Sequence, residues 1–271
     1  MKFTQQMENP YKGHFQKTSS SREIADALIA QRDILAKMNA DVDGYEGMKL
    51  YSDVTDAAVR RVFELAVEEV KKSVPEFGAL RGVAVAAVGG YGRREMCPYS
   101  DVDVAFISES ENDEKINLLV KKAFRLLMDM VDAAGLKVGY SFRSVSEVEN
   151  LDLETQTALL DSRILAGDRY LVTVFMDGLR KALVPCAFVI GHLRARKLCN
   201  GNRPTPYVVC PDVKEGIGAL RDLQTARWIS QVAFGLYDVD IWNGLRAKGI
   251  LSDEDCIAIY NASEFLSRLR R

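Results

Sequence analysis

Residues 83–88, Val-Ala-Val-Ala-Ala-Val, form a short continuous apolar run that stops abruptly at Gly89-Gly90. A run of this length with no polar alternation reads as a strand covered on both faces, delivered into a tight turn. The chain then passes Pro98 and Ser100 and reaches Asp101-Val-Asp-Val-Ala-Phe-Ile, which opens with strict polar–apolar alternation and ends apolar. That pattern predicts a second strand over 101–107, with Asp101 and Asp103 on one face, since residues i and i+2 of a strand point the same way.

The flanking segments are helical. Ser20 or Ser21 is expected to cap a helix whose buried stripe is Ile24, Leu28, Leu35 and Met38, ended at 41–44. A second helix is expected from Asp53 or Thr55, with Ala58, Val62, Leu65 and Ala66 buried, stopped by Pro75 and Gly78. Ile116, Leu119, Val120, Ala123, Leu126, Leu127, Met130 and Val131 mark one face of an amphipathic helix that Gly135 ends. A third strand is expected at 137–143. Beyond residue 151 the pattern predicts helices over 153–165, over 175–196 with a break near Pro185, over about 218–237 and from about 252 onward, with a loop at Pro204 and Pro206. Residues 1–20 read as a loose polar arm. The fold expected is α/β (α+β): a small mixed sheet flanked by helices, with a helical N-terminal arm (1–78), a core domain (79–190) and a helical domain (191–271) that reads as cut from a longer protein.

Composition narrows the chemistry. Among 271 residues there are 36 Lys+Arg against 38 Asp+Glu, a formal net charge of −2 that gives no broad basic surface for nucleic acid. The five cysteines (97, 186, 199, 210 and 256) are scattered without a C-x-x-C pair, which argues against a disulfide framework and a zinc site and for reduced, mostly part-buried thiols. His14 and His192 are the only histidines, leaving little room for imidazole-based metal chemistry. No apolar run suits a membrane span and the N-terminus lacks a signal-like stretch, so the expected location is cytoplasmic.

The residues that carry chemistry lie between 88 and 103: V-G-G-Y-G-R-R-E-M-C-P-Y-S-D-V-D. Two glycines after a strand let backbone N–H groups approach phosphate oxygens, and Arg93 stands close enough in sequence to pair with one. Asp101 and Asp103 offer oxygen ligands suited to Mg2+, with Mn2+ as the alternative ion, and such a metal also binds substrate phosphates. Either half alone is weak, since a D-x-D is most often the solvent face of a strand. Together, each joined to a strand, they point to nucleotidyl transfer. Neither a P-loop nor a dinucleotide fingerprint is present, because Glu95 stands where the latter needs glycine.

The signature G-G-Y-G-R-x-E-x-x-P-x-S-D-x-D resembles that of bacterial PII-protein uridylyltransferases, within the DNA polymerase β-like nucleotidyltransferase superfamily. Three further blocks resemble that family in order: 136–144, L-K-V-G-Y-S-F-R-S; 157–168, T-A-L-L-D-S-R-I-L-A-G-D; and 211–225, P-D-V-K-E-G-I-G-A-L-R-D-L-Q-T. The resemblance implies that Asp101 and Asp103 bind Mg2+, that Gly89 and Gly90 cradle UTP phosphates, and that Arg93 and Ser100 support the nucleotide. It also implies a tyrosine hydroxyl of the nitrogen-regulatory PII protein as acceptor. This chain departs from the pattern at Arg94, where the family has glycine, and at Tyr140, where it has histidine. The 137–143 strand offers no third carboxylate. Asp161 is a substitute or a solvent-facing helix residue. Lys214, Arg221 and Arg227 form a solvated face or touch substrate, His192 reads as a surface or packing residue, and Tyr91 and Tyr99 contact a base or pack. Adenylyl transfer to a protein or small molecule, and a degenerate module that binds nucleotide or PII without turnover, stay open beside uridylyl transfer.

Overall fold

The computed structural model describes residues 9–38, 44–74, 81–110, 112–201 and 210–270, so the stops expected at 41–43, Pro75 and Gly78 and the loop at Pro204 and Pro206 lie outside the described residues. Four strands form one mixed sheet in the order β3-β2-β1-β4. They are β1 (Val83–Ala87), β2 (Val102–Ser108), β3 (Val138–Ser144) and β4 (Arg163–Gly167). The helices are α1 (Lys12–Phe15), α2 (Ser21–Met38), α3 (Gly44–Ser73), the single turn α4 (Gly89–Gly92), α5 (Glu114–Ala133), α6 (Leu153–Leu160), α7 (Arg169–Ala182), α8 (Pro185–Gly201), α9 (Leu220–Phe234), α10 (Ile241–Ala247) and α11 (Asp253–Arg270). None of the described helices is long and apolar enough to cross a membrane.

β1 pairs antiparallel with β2 and with β4, whereas β2 and β3 run parallel and are joined through α5. The apolar run of β1 is explained by its neighbours. Val83, Val85 and Ala87 pack with α2, α3 and α5, while Ala84, Ala86 and Val88 pack with α6 and α7 together with Phe188, Trp228 and Val232. With helices on both faces the strand has no wet side, and each Val, Leu or Phe so buried contributes on the order of 2 kcal/mol.

α5 matches its expected stripe, with Ile116, Leu119, Ala123, Leu127, Met130 and Val131 buried, Asp113 capping its start and Gly135 following at a φ of +66°. Other expectations need correction. The N-terminal segment is not a loose arm where it is described: Phe15 is fully buried, and the Asn9 amide donates to the Asp53 carbonyl at 2.7 Å. α3 begins at Gly44 rather than near Asp53. The helix expected over 153–165 ends at Leu160, and β4 follows as the sheet's second edge. None of the five cysteines forms a disulfide among the described residues, and only Cys97 and Cys256 are buried.

Candidate active site

β1 ends beside the start of β2, since Ala87 pairs with Val104 and the Val88 N–H donates to the Asp103 carbonyl at 3.0 Å. The turn after β1 therefore stands next to the two aspartates. Gly89 takes a φ of +56°, a left-handed conformation that favours glycine. As the first amides of a helical turn, those of Gly89 and Gly90 have no acceptor within it. A cleft of about 800 Å³ opens here, and Gly89, Gly90, Arg93, Ser100, Asp101 and Asp103 all line it. Its opposite wall comes from α6, α8, α9 and the turn before α9, through Thr157, His192, Arg196, Lys214, Arg221 and Trp228.

Asp101 is exposed and immediately precedes β2, while Asp103 is half-buried on the face shared with Ala105 and Ile107. Burial raises the Asp103 carboxyl above its ordinary value and the nearby Asp101 charge adds to this, opposed by Lys214. Asp103 pairs across the sheet with Gly139, where an added Cβ would lie 2.2 Å from the Asp103 Oδ1. The glycine of the 136–144 block thus makes room for the carboxylate. Tyr140 is exposed and stacks on Phe124 at 4.0 Å between centroids. The donor set fits Mg2+ in kind: Asp101 and Asp103 would supply carboxylate oxygens to an ion that takes oxygen ligands.

Arg93 has partners of its own. It is 9% exposed and pairs with Glu95 at 2.8 Å and with Asp161 at 2.5 Å. Burial works against its charge, but the two carboxylates outweigh it and hold the guanidinium protonated. The expectation that Asp161 faces solvent is overturned, because it is buried at the end of α6 and also accepts from the Trp228 indole at 2.8 Å. Burial raises its carboxyl in spite of Arg93. Glu95 in turn accepts from the Gln224 amide at 2.8 Å. This chain of contacts ties the turn to α9. The hydroxyl oxygen of Ser100 accepts from the Cys97 N–H at 2.9 Å and so closes the 97–100 turn that presents Asp101.

Arg163 is a positioning residue that the sequence reading passed over. It donates to the carbonyls of Gly92 and Tyr91 at 3.2 and 3.3 Å and pairs with buried Asp56 of α3. An added Cβ on Gly92 would lie 2.1 Å from the Asp161 carbonyl oxygen, so the turn is held from both sides. The only available signal was Arg163's place in the 157–168 block. The 211–225 block is not a uniform solvated face. Lys214 is exposed toward the cleft, whereas Arg221 is part-buried and pairs with Glu215 at 2.9 Å. His192 is a packing residue: it meets the Thr157 hydroxyl at 2.9 Å and lies between Phe188 and Trp228. Tyr91 packs in the core, while Tyr99 is 95% exposed at the cleft.

A mixed sheet that offers a glycine turn and paired aspartates to one cleft defines a nucleotidyltransferase-type domain. Residues 30–140 match the nucleotidyltransferase family DUF294, and residues 192–271 match the family described as GlnD PII-uridylyltransferase. Within that class, the chain is similar in sequence to bifunctional uridylyltransferase/uridylyl-removing enzymes. It is 31% identical over 251 residues to a bifunctional uridylyltransferase/uridylyl-removing enzyme of Burkholderia orbicola, covering 91% of this chain and 27% of the relative. Proteins of the same name from Burkholderia thailandensis and Burkholderia mallei are 31% and 32% identical, again over 91% of this chain and 27% of theirs. The chain thus spans about a quarter of the length of these curated relatives.

Proposed function

We propose that this chain transfers UMP from UTP to a tyrosine hydroxyl of a PII protein, with Mg2+, and releases pyrophosphate. The observation that carries the reading is that the Gly89-Gly90 turn and both aspartates line one cleft. The amides of Gly89 and Gly90 hold phosphate oxygens, and Ser100 fixes the turn before Asp101. Asp101 and Asp103 would hold the metal, which when bound neutralises triphosphate charge and makes the acceptor oxygen a better nucleophile. The acceptor oxygen then forms a bond to the α-phosphorus as the bond to the bridging oxygen of pyrophosphate breaks. The Arg93–Asp161–Trp228 contacts keep the glycine turn in register with α9 while this happens.

The test is label transfer from radiolabelled UTP or ATP to the PII protein of the source organism, with Mg2+ and with an Asp101→Ala/Asp103→Ala control. Label from UTP, absent in the control, is expected. Label from ATP alone would replace the reading by adenylyl transfer, and nucleotide binding without label would replace it by a binding module.

A further inference from the structure

Five cationic side chains line the cleft: Arg93, Arg196, Lys214, Arg221 and Arg270. Three are committed to carboxylates. Arg93 holds Glu95 and Asp161, Arg196 holds Asp222 at 2.6 Å, and Arg221 holds Glu215. Neither Lys214 nor Arg270 forms an ion pair among the described residues. Arg270 also borders a second cavity behind Glu95. Lys214 lines the same cleft as Asp101 and Asp103, on the wall opposite the glycine turn.

The backbone around Lys214 is held firmly. Asp212 Oδ1 accepts from the N–H groups of Lys214 and Glu215 at 2.9 and 2.8 Å. The Lys214 carbonyl accepts from the Arg221 N–H at 2.8 Å, and the Leu220 N–H donates to the Val213 carbonyl at 3.1 Å. At Gly216 an added Cβ would lie 2.3 Å from the Asp212 carbonyl oxygen, and Gly218 takes a φ of +74°. Glu215, the next residue, is gripped by Arg221 and lies 3.6 Å from Arg196. Each conspicuous residue of K-E-G-x-G-x-x-R-D is thus accounted for by fixing this turn, except the side chain of Lys214 itself.

We propose that Lys214 is the residue that binds the β- and γ-phosphates of the donor, reaching across the cleft from the helical side. The inference rests on the nucleotidyl-transfer reading and deepens it. As the acceptor oxygen bonds to the α-phosphorus, the electron pair of the breaking bond settles on pyrophosphate, and the acceptor proton passes to water in the open cleft. The Lys214 side chain neutralises part of that departing charge. UMP lacks the groups it contacts.

The experiment compares UTP and UMP binding and UTP turnover in wild type, Lys214→Ala and Lys214→Arg. Lys214→Ala is expected to bind UTP about 10- to 100-fold more weakly, to bind UMP as wild type does, and to lose about 10²-fold in kcat. Lys214→Arg is expected to recover part of both. Equal UTP binding and turnover in wild type and Lys214→Ala would overturn the proposal and leave the reaction standing. A parallel loss of UMP binding would reduce Lys214 to a structural residue. Wild type that binds neither nucleotide would remove the reaction itself, and the proposal with it.

Discussion

At Arg94 the backbone takes a φ of +61°, one of two non-glycine residues among those described that do so. Glycine suits such a position better, because a Cβ in the left-handed region costs about 1–2 kcal/mol. Arg94 is retained by an ion pair with Asp53 of α3, whose carboxyl is raised by burial and drawn back by this arginine. The added bulk therefore turns away from the glycine turn toward α3. Arg94→Gly relieves the strain and loses the pair, so its stability is expected within about 1 kcal/mol of wild type. Arg94→Ala keeps the strain and leaves Asp53 alone, and is expected to cost about 1–2 kcal/mol. Urea unfolding of both variants checks the order, and an alanine variant as stable as the glycine one would refute it. At this scale the site was readable where its residues are neighbours in sequence, from Gly89 to Asp103. Asp161 and Lys214 reach the same cleft from distant segments, and Arg163 braces the turn beside it. Their chemistry was visible in the chain, but the partners that decide it were not.

Among the elements, β1, β2 and α5 could be read because burial and periodicity agree in each. β4 could not be read. Its five residues follow α6 with apolar spacing that continues a helix pattern, and only pairing with β1, through a register shift at Val85/Ala86, makes them a strand. The start of α3 was hidden by Gly44, a poor helix former. The structure explains that glycine, since an added Cβ would lie 2.6 Å from the Arg268 N of α11. α6, α8 and α9 meet around His192, whose imidazole is lowered below 6.5 by burial, with Arg221 adding to the shift. Because the folded value lies below the unfolded one, the unfolded chain takes up this proton first as pH falls. The corresponding stability is complete above about pH 6.5 and is lost as pH falls through the lowered value. His192→Gln is therefore expected to show a shallower fall in urea midpoint than wild type between about pH 7 and pH 5. Parallel curves for the two proteins would contradict this.

On the scale of the whole molecule, the sheet carries the glycine turn and the aspartates, and the helices after it close the other side of the cleft. Polar contacts of Arg93 with Asp161, of Glu95 with Gln224 and of Trp228 with Asp161 join the two. Removing one partner of such a set is costly because it leaves the others buried without a counterpart. The contacts make the cleft a single unit, although its walls are far apart in sequence. This explains why the signature alone marked the glycine turn and the aspartates and could not show what faces them.

The account stands on Asp101 and Asp103 as the metal-binding pair. The most direct measurement is Mg2+-dependent binding of a UTP analogue with a methylene bridge between the α- and β-phosphates. Wild type would be compared with Asp103→Asn, and thermal unfolding would be recorded for both. Wild type is predicted to bind the analogue at least about tenfold more tightly with Mg2+ than without. The variant is predicted to lose that enhancement while unfolding at a similar temperature. An equal Mg2+ enhancement in both proteins would contradict the central assignment.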